Sequence, residues 1–171
     1  SETCALDIIG AKFIREVDNG EIVLIENDKL KSIKPFPEKK IRPCVFEYIY
    51  FARPDSILSG KTAYEHRKNL GKELAKENNI DADIIVPVPD SGNAAALGFA
   101  QHLNKNYEHG LIRNHYVGRT FIEPSQKIRS LGVKLKLNAN QTTIENKKII
   151  LVDDSLAVSY THLRAHETET N

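Results

Sequence analysis

The sequence predicts an α/β protein built on a parallel sheet with flanking helices. Three observations lead there. Two short apolar runs, Ile84-Ile85-Val86-Pro87-Val88-Pro89 and Ile149-Ile150-Leu151-Val152, have the length and composition of buried strands. A capped helix precedes the first run, and a helix rich in small residues, from about Asn93 to Leu103, follows it. Strands that alternate with helices in this way close into parallel sheets, whose ligands lie beyond the carboxyl ends of the strands.

Taken in order, residues 11–33 read as small β pieces. Lys12–Val17 and Glu21–Ile25 flank Asp18-Asn19-Gly20, a turn sequence whose Asn and Gly tolerate positive φ. A polar connector punctuated by proline, Lys34-Pro35-Phe36-Pro37-Glu38-Lys39-Lys40, marks a domain boundary near residue 40. Val45–Phe51 is rich in aromatic and β-branched residues and reads as a strand. Thr62-Ala63-Tyr64-Glu65 is a capping-box pattern opening a helix to about Asn78, with Ala63, Leu70 and Leu74 on one face.

Composition excludes several classes of function. The net charge is +1 over 171 residues, so no global field draws the chain to nucleic acid or to a membrane surface. No apolar run approaches the roughly 20 residues of a membrane span, and no basic-then-apolar leader opens the chain. Two cysteines, Cys4 and Cys44, are too few for a disulfide framework and fit a reducing cytoplasm. Cys4 reads as a small core residue. The absence of methionine suggests a chain that starts inside something larger.

The second apolar run ends in Asp153-Asp154-Ser155. Carboxylates at the end of a buried strand suit a sugar diol or Mg²⁺, whereas a single Asp there would more simply cap a helix. Ser59-Gly60-Lys61-Thr62 evokes a nucleotide-binding phosphate loop. The first glycine of that pattern would fall on Asp55, however, whose charge repels phosphate. A response-regulator pocket places its acids after an early strand, not a late one. From Arg113 to Lys136 there are six basic residues (Arg113, Arg119, Lys127, Arg129, Lys134, Lys136) and one acid, Glu123. Such a run is usually a solvated face; ahead of an acid pair it suits a lid over a polyanion. His162 and His166 stand at helical i, i+4 spacing, a weak metal signal on its own.

Longer runs carry a family resemblance. Cys44–Ser56, Val88-Pro89-Asp90-Ser91-Gly92, Asn114–Ile122, Leu135–Asn138 and Val152-Asp153-Asp154-Ser155 resemble, in the same order, segments of the glutamine phosphoribosylpyrophosphate amidotransferases. The segments resembled are the linker from glutaminase to transferase domain, the pyrophosphate-side loop, the mobile loop, the end of that loop, and the start of the phosphoribosylpyrophosphate motif. Ser1–Asp7 resembles a late segment of the glutaminase domain.

The resemblance implies an incomplete type I phosphoribosyltransferase fold, preceded by the C-terminal β piece of an N-terminal-nucleophile glutaminase. Residues 1–40 would be the end of the glutaminase and the linker, and 41–156 the first part of the transferase. Asp90, Ser91, Gly92, Arg119, Lys134, Asp153, Asp154 and Ser155 would bind substrate, with Ser91, Asp153 and Asp154 at Mg²⁺. Cys44 would stand where some relatives ligate a 4Fe–4S cluster. The implied partners are phosphoribosylpyrophosphate, glutamine or ammonia, and purine nucleotides as feedback inhibitors, in a homo-oligomer.

The resemblance also implies absences. No catalytic nucleophile of the glutaminase is expected within this sequence. After Leu156 the family continues Val-Arg-Gly-Thr-Thr, whereas Ala157-Val158-Ser159-Tyr160 departs from it. Residues 157–171 are therefore expected to be a non-native tail, and the fragment itself to be inactive. A non-catalytic regulator that senses the same ligand is the rival reading, and a phosphate-loop NTPase comes third.

Overall fold

The structure is a computed structural model that describes residues 2–37, 39–78, 80–117 and 135–155. Its centre is a three-stranded parallel sheet in the order β6-β5-β9, made from Ile84–Pro87 (β5), Asn106–Tyr107 (β6) and Ile149–Val152 (β9). The two apolar runs pair as expected, Ile84 against Ile149 through Pro87 against Val152. All four residues of β5 are buried, as a central parallel strand requires.

Helix α3 (Asn93–Leu103) packs on the sheet, and helix α2 (Ala63–Glu77) packs on α3. Ala75, Ile85, Ala96, Phe99, Ala100 and Val152 form the core, with Leu103, Tyr107 and Ile150 packed at its border. The start of α2 follows the capping box: the Thr62 hydroxyl accepts from the Glu65 amide at 3.1 Å, and the Glu65 carboxylate accepts from the Thr62 amide at 3.2 Å. Helix α3 ends at Asn104 in the left-handed conformation, turning the chain into β6.

The buried face of α2 differs from the expected one. Ala63, Arg67, Gly71 and Ala75 face inward, while Leu70 and Leu74 are 48% and 42% exposed. Steric reach decides this. A Cβ on Gly71 would lie 1.9 Å from the Ala95 carbonyl oxygen, and one on Gly98 would lie 1.9 Å from that of Lys68. The two helices meet backbone to backbone at Gly71 and Gly98, which leaves no room for leucine there.

Two further expectations are corrected. Val45–Phe51 is not a strand: Glu47–Phe51 is a π-helical turn, closed by Ala52 N donating to Glu47 O at 3.2 Å. The Arg67 guanidinium donates to the carbonyls of Tyr48 (3.0 Å) and Ala52 (2.6 Å), satisfying acceptors that a strand would have turned to a neighbour. The Tyr48 ring also packs edge-on against His66, with centroids 4.9 Å apart.

The hairpin, meanwhile, lies further along than its expected turn. It pairs Ile22–Glu26 (β1) with Lys29–Ile33 (β2) around Asn27 and Asp28, both at positive φ. Asp18-Asn19-Gly20 does turn, with Gly20 at φ 78°. Glu21 then accepts from Arg15 (2.6 and 2.8 Å), the Ser32 hydroxyl and the Asp18 amide, tying residues 12–18 to the hairpin through a side chain instead of a ladder.

The remaining described elements are a helix α1 (Thr3–Ile8), a two-residue pair β3 (Ile57–Leu58) with β4 (Lys61–Thr62), and a short helix Gln141–Ile144. Leu111–Arg113 (β7) and Leu137–Ala139 (β8) pair antiparallel. The basic segment therefore departs from and returns to one strand pair. Residues 118–134, including Arg119 and Lys134, lie outside the described residues, as do residues 156–171 with the expected foreign tail and the His162/His166 pair. Among the described residues, no helix is long and apolar enough to cross a membrane.

Candidate functional site

The site is built where β5 and β9 end together. Pro87 pairs with Val152, and the next amide, Val88 N, donates to Val152 O at 2.8 Å. The loop Val88–Gly92 is thereby fastened to the last residue before the acid pair. Gly92 closes the loop, its amide donating to Val88 O at 2.9 Å, and its carbonyl accepts from Ala96 in the first turn of α3. A Cβ at Gly92 would lie 2.5 Å from Val152 O and 2.9 Å from Val88 O, so only glycine fits between the two backbones. The Pro89–Asp90 peptide is cis.

This arrangement brings Asp90, Ser91 and Gly92 to the same sheet edge as Asp153, Asp154 and Ser155. Asp154 N donates to Asp153 Oδ1 at 2.8 Å, folding the acid pair into a tight turn. Asp90 accepts from Nη1 of Arg113, the last residue of β7. Arg113 is one of the six basic residues in the segment from Arg113 to Lys136, and its contact with Asp90 adds it to the site edge. Its position at the mouth of that segment was the available signal.

Three buried side-chain polar atoms have no partner among the described residues: Asn93 Oδ1, Arg113 Nε and Asp154 Oδ2. Asn93 begins α3 directly after Gly92, Arg113 grips Asp90, and Asp154 belongs to the acid pair, so all three border this one edge. Buried polar atoms are ordinarily satisfied, and a cluster of orphans marks a place for a polar ligand. Asn93 was missed in the sequence because an Asn at a helix start reads as ordinary capping chemistry.

Arg67, 7% exposed, is a further buried charge that sequence reasoning missed. Burial lowers its pKa, and the negative charges of Asp154 and Glu2 oppose that shift. Two carboxylates and the Ser91 hydroxyl are hard oxygen donors, and the orphaned Asp154 Oδ2 offers a free lone pair. The donor set fits Mg²⁺, which binds through one or two carboxylates and completes its shell with water and substrate phosphate. No group of three or more His, Cys, Asp and Glu side chains among the described residues forms a protein-only metal cage. Cys44 is an exposed free thiol and Cys4 a buried one, and a single thiol does not hold an iron–sulfur cluster.

No family model matches the chain. Its sequence kinship is with amidophosphoribosyltransferases. It is 57% identical to that of Rhizobium etli over 96% of this chain and 34% of the relative. It is 51% identical to the chloroplastic amidophosphoribosyltransferase 2 of Arabidopsis thaliana over 91% of this chain and 28% of the relative. Among solved structures it resembles the glutamine phosphoribosylpyrophosphate amidotransferase of B. subtilis complexed with ADP and GMP, with a TM-score of 0.83 and 46% identity over 95% of this chain and 36% of that one. The chain thus spans about a third of the length of the relatives it matches.

Proposed function

We infer that the chain is a segment of an amidophosphoribosyltransferase, and that its β5–β9 edge is the phosphoribosylpyrophosphate site of that enzyme. The observation that carries this reading is the stitching of Val88–Gly92 to Val152, which sets a glycine-closed loop against the acid pair. A loop of that kind suits a pyrophosphate, whose oxygens the backbone can approach closely. The acid pair suits the ribose diol, to which carboxylates are acceptors.

In the parent enzyme, ammonia released from glutamine attacks C1 of phosphoribosylpyrophosphate. The nitrogen lone pair forms the new C–N bond as the C1–O bond to pyrophosphate breaks, and a proton leaves the resulting ammonium for solvent. Phosphoribosylamine and pyrophosphate result. Mg²⁺, held by Asp153, Asp154 and Ser91, would neutralise charge on the leaving group. Ser155 and Gly92 would line the ribose and pyrophosphate ends, and Arg119 and Lys134 would belong to the basic segment over them. Arg113, which donates to Asp90, would offer a guanidinium fork to the leaving group. Positioning dominates such a reaction, since no covalent protein intermediate is required.

The reading extends to feedback by purine nucleotides, which the ADP and GMP named with the B. subtilis structure support. It also extends to a cytoplasmic setting, where free thiols such as Cys4 and Cys44 persist. The test is a chimera in which residues 2–155 replace their counterpart in the R. etli relative. Consumption of phosphoribosylpyrophosphate with ammonia and Mg²⁺ should persist. A folded chimera without turnover would overturn the site assignment.

A further inference from the structure

The start of α1 is fastened to a segment far along the chain. Oε2 of Glu2 accepts from Arg53 N at 2.7 Å and from the hydroxyl of Ser56, and Thr3 Oγ1 accepts from Ile57 N at 2.7 Å. Cys4 Sγ lies 3.1 Å from Ser56 Oγ, and both residues are buried. Consecutive side chains from Glu2 to Cys4 therefore meet one stretch, Arg53–Ile57. That stretch is in turn bound to the first turn of α2: Ala63 N donates to Ser56 O at 2.8 Å, and Tyr64 N to Pro54 O at 2.9 Å. Helix α2 packs on α3, and α3 on the sheet. A run of direct contacts thus leads from α1 into the body that carries the β5–β9 edge.

Hydrogen bonds carry this seam more than apolar burial does. Ile8, Phe51 and Ile57 flank it and are all exposed, whereas its buried groups are the small Cys4, Ala52 and Ser56. The Arg53 guanidinium is engaged by Asp55, so Glu2 meets the segment through an amide and a hydroxyl. Bonds to a carboxylate are stronger than bonds between neutral groups, and losing this one would strip the buried Ser56 hydroxyl of its best acceptor. Hydrogen bonds are also directional, so donors spread along residues 53–57 fix how α1 is turned and how far it can slide. The seam crosses the boundary expected near residue 40.

We propose that Glu2 and Thr3 are positioning residues: they latch α1 to Arg53–Ile57 and so set the register between the ammonia-releasing part of the parent enzyme and its transferase part. This rests on the reading above, with residues 1–40 ending the first part and residues 41–156 beginning the second. Ammonia made in one part must reach C1 in the other before it is lost to solvent, and such delivery tolerates little misalignment. Ammonia supplied from solution has no such requirement. The latch therefore matters for one nitrogen source and not for the other.

The experiment uses the chimera in which residues 2–155 stand in the R. etli relative, assayed with glutamine and with ammonia. Glu2→Ala should cut glutamine-dependent turnover by about tenfold, the weight of one charge-assisted hydrogen bond, and leave ammonia-dependent turnover unchanged. Glu2→Gln keeps an acceptor and should fall between Glu2→Ala and the parent chimera. Thr3→Val removes the acceptor of Ile57 N at nearly constant shape and should lower the same ratio. On the full 171-residue chain, without ligand, Glu2→Ala should also speed amide exchange at Ile57 N, whose own acceptor is untouched. Equal loss with both nitrogen sources would reduce the latch to a tie for stability and overturn the proposal, as would unchanged exchange at Ile57 N. An unmodified chimera inactive with ammonia would instead overturn the reaction proposed above, and the role of the latch with it. Should Glu2→Ala fail to fold, Glu2→Gln and Thr3→Val decide: an unaltered ratio in both would overturn the latch.

Discussion

Gly92 and Val152 lie so close that a Cβ on the glycine would sit 2.5 Å from the valine carbonyl oxygen. That oxygen already accepts the Val88 amide at 2.8 Å. The approach of these two backbones sets the loop Val88–Gly92 against the acid pair, and it explains why the N-cap of α3 is a glycine, with no side chain to cap the helix.

Gly92→Ala should therefore damage both fold and site. The obstructing atoms are backbone oxygens that cannot swing away, so the loop or β9 must shift. A loss of about 1–3 kcal/mol is expected, as for overpacking in a filled interior. Urea unfolding would measure it, and an unchanged midpoint would mean that the loop can relax at no cost.

The close crossing of α2 and α3 makes a second prediction. Gly71→Ala or Gly98→Ala places a methyl group 1.9 Å from a carbonyl oxygen on the facing helix. Each should cost at least about 1–3 kcal/mol, against the gain in helix propensity of roughly 1 kcal/mol that Gly→Ala brings in an exposed helix. The sign of the net change in unfolding midpoint separates packing from propensity.

Acid should loosen the hairpin unit only well below the pH at which a free glutamate titrates. Glu21 has its pKa lowered far below the ordinary carboxylate range, first by its hydrogen bonds from Arg15, then from Ser32 and the Asp18 amide. A carboxyl depressed in the folded state stabilises above its unfolded pKa and loses that contribution as pH falls through the folded one. Amide resonances of residues 15–33 should therefore shift at lower pH than a free glutamate titrates. Glu21→Gln should remove that transition and loosen the same residues at neutral pH.

At the acid pair, Asp154→Asn keeps the shape and removes a charge. In the chimera with the R. etli relative, ammonia-dependent turnover should fall by at least the roughly 10–100-fold that losing even a supporting residue costs a metal site. Raising Mg²⁺ should restore part of it if metal affinity is what was lost. Turnover equal to the parent chimera would remove Asp154 from the site.

What the sequence by itself determined was set by local chemistry. The strands Ile84–Pro87 and Ile149–Val152 are apolar runs, and apolar runs between helices pair in parallel. Thr62 and Glu65 cap α2 by bonds within four residues, and Asn93–Leu103 is a helix as its composition indicates. The order of segments, from Cys44–Ser56 to Val152-Asp153-Asp154-Ser155, was enough to carry the resemblance. What only the tertiary structure decided were the places where distant groups compete with local preference. Val45–Phe51 has strand composition, but the carbonyls of Tyr48 within it and of Ala52 just after it are taken by Arg67, and the chain turns. Leu70 and Leu74 have the hydrophobicity of a core face, yet Gly71 and Ala75 are buried, because the spacing between two helices is limited by atomic radii and not by transfer free energy. The roles of Asn93, Arg113 and Arg67 depend likewise on which buried atoms lack or find a partner. That is a property of three-dimensional neighbours, and no spacing along the chain encodes it.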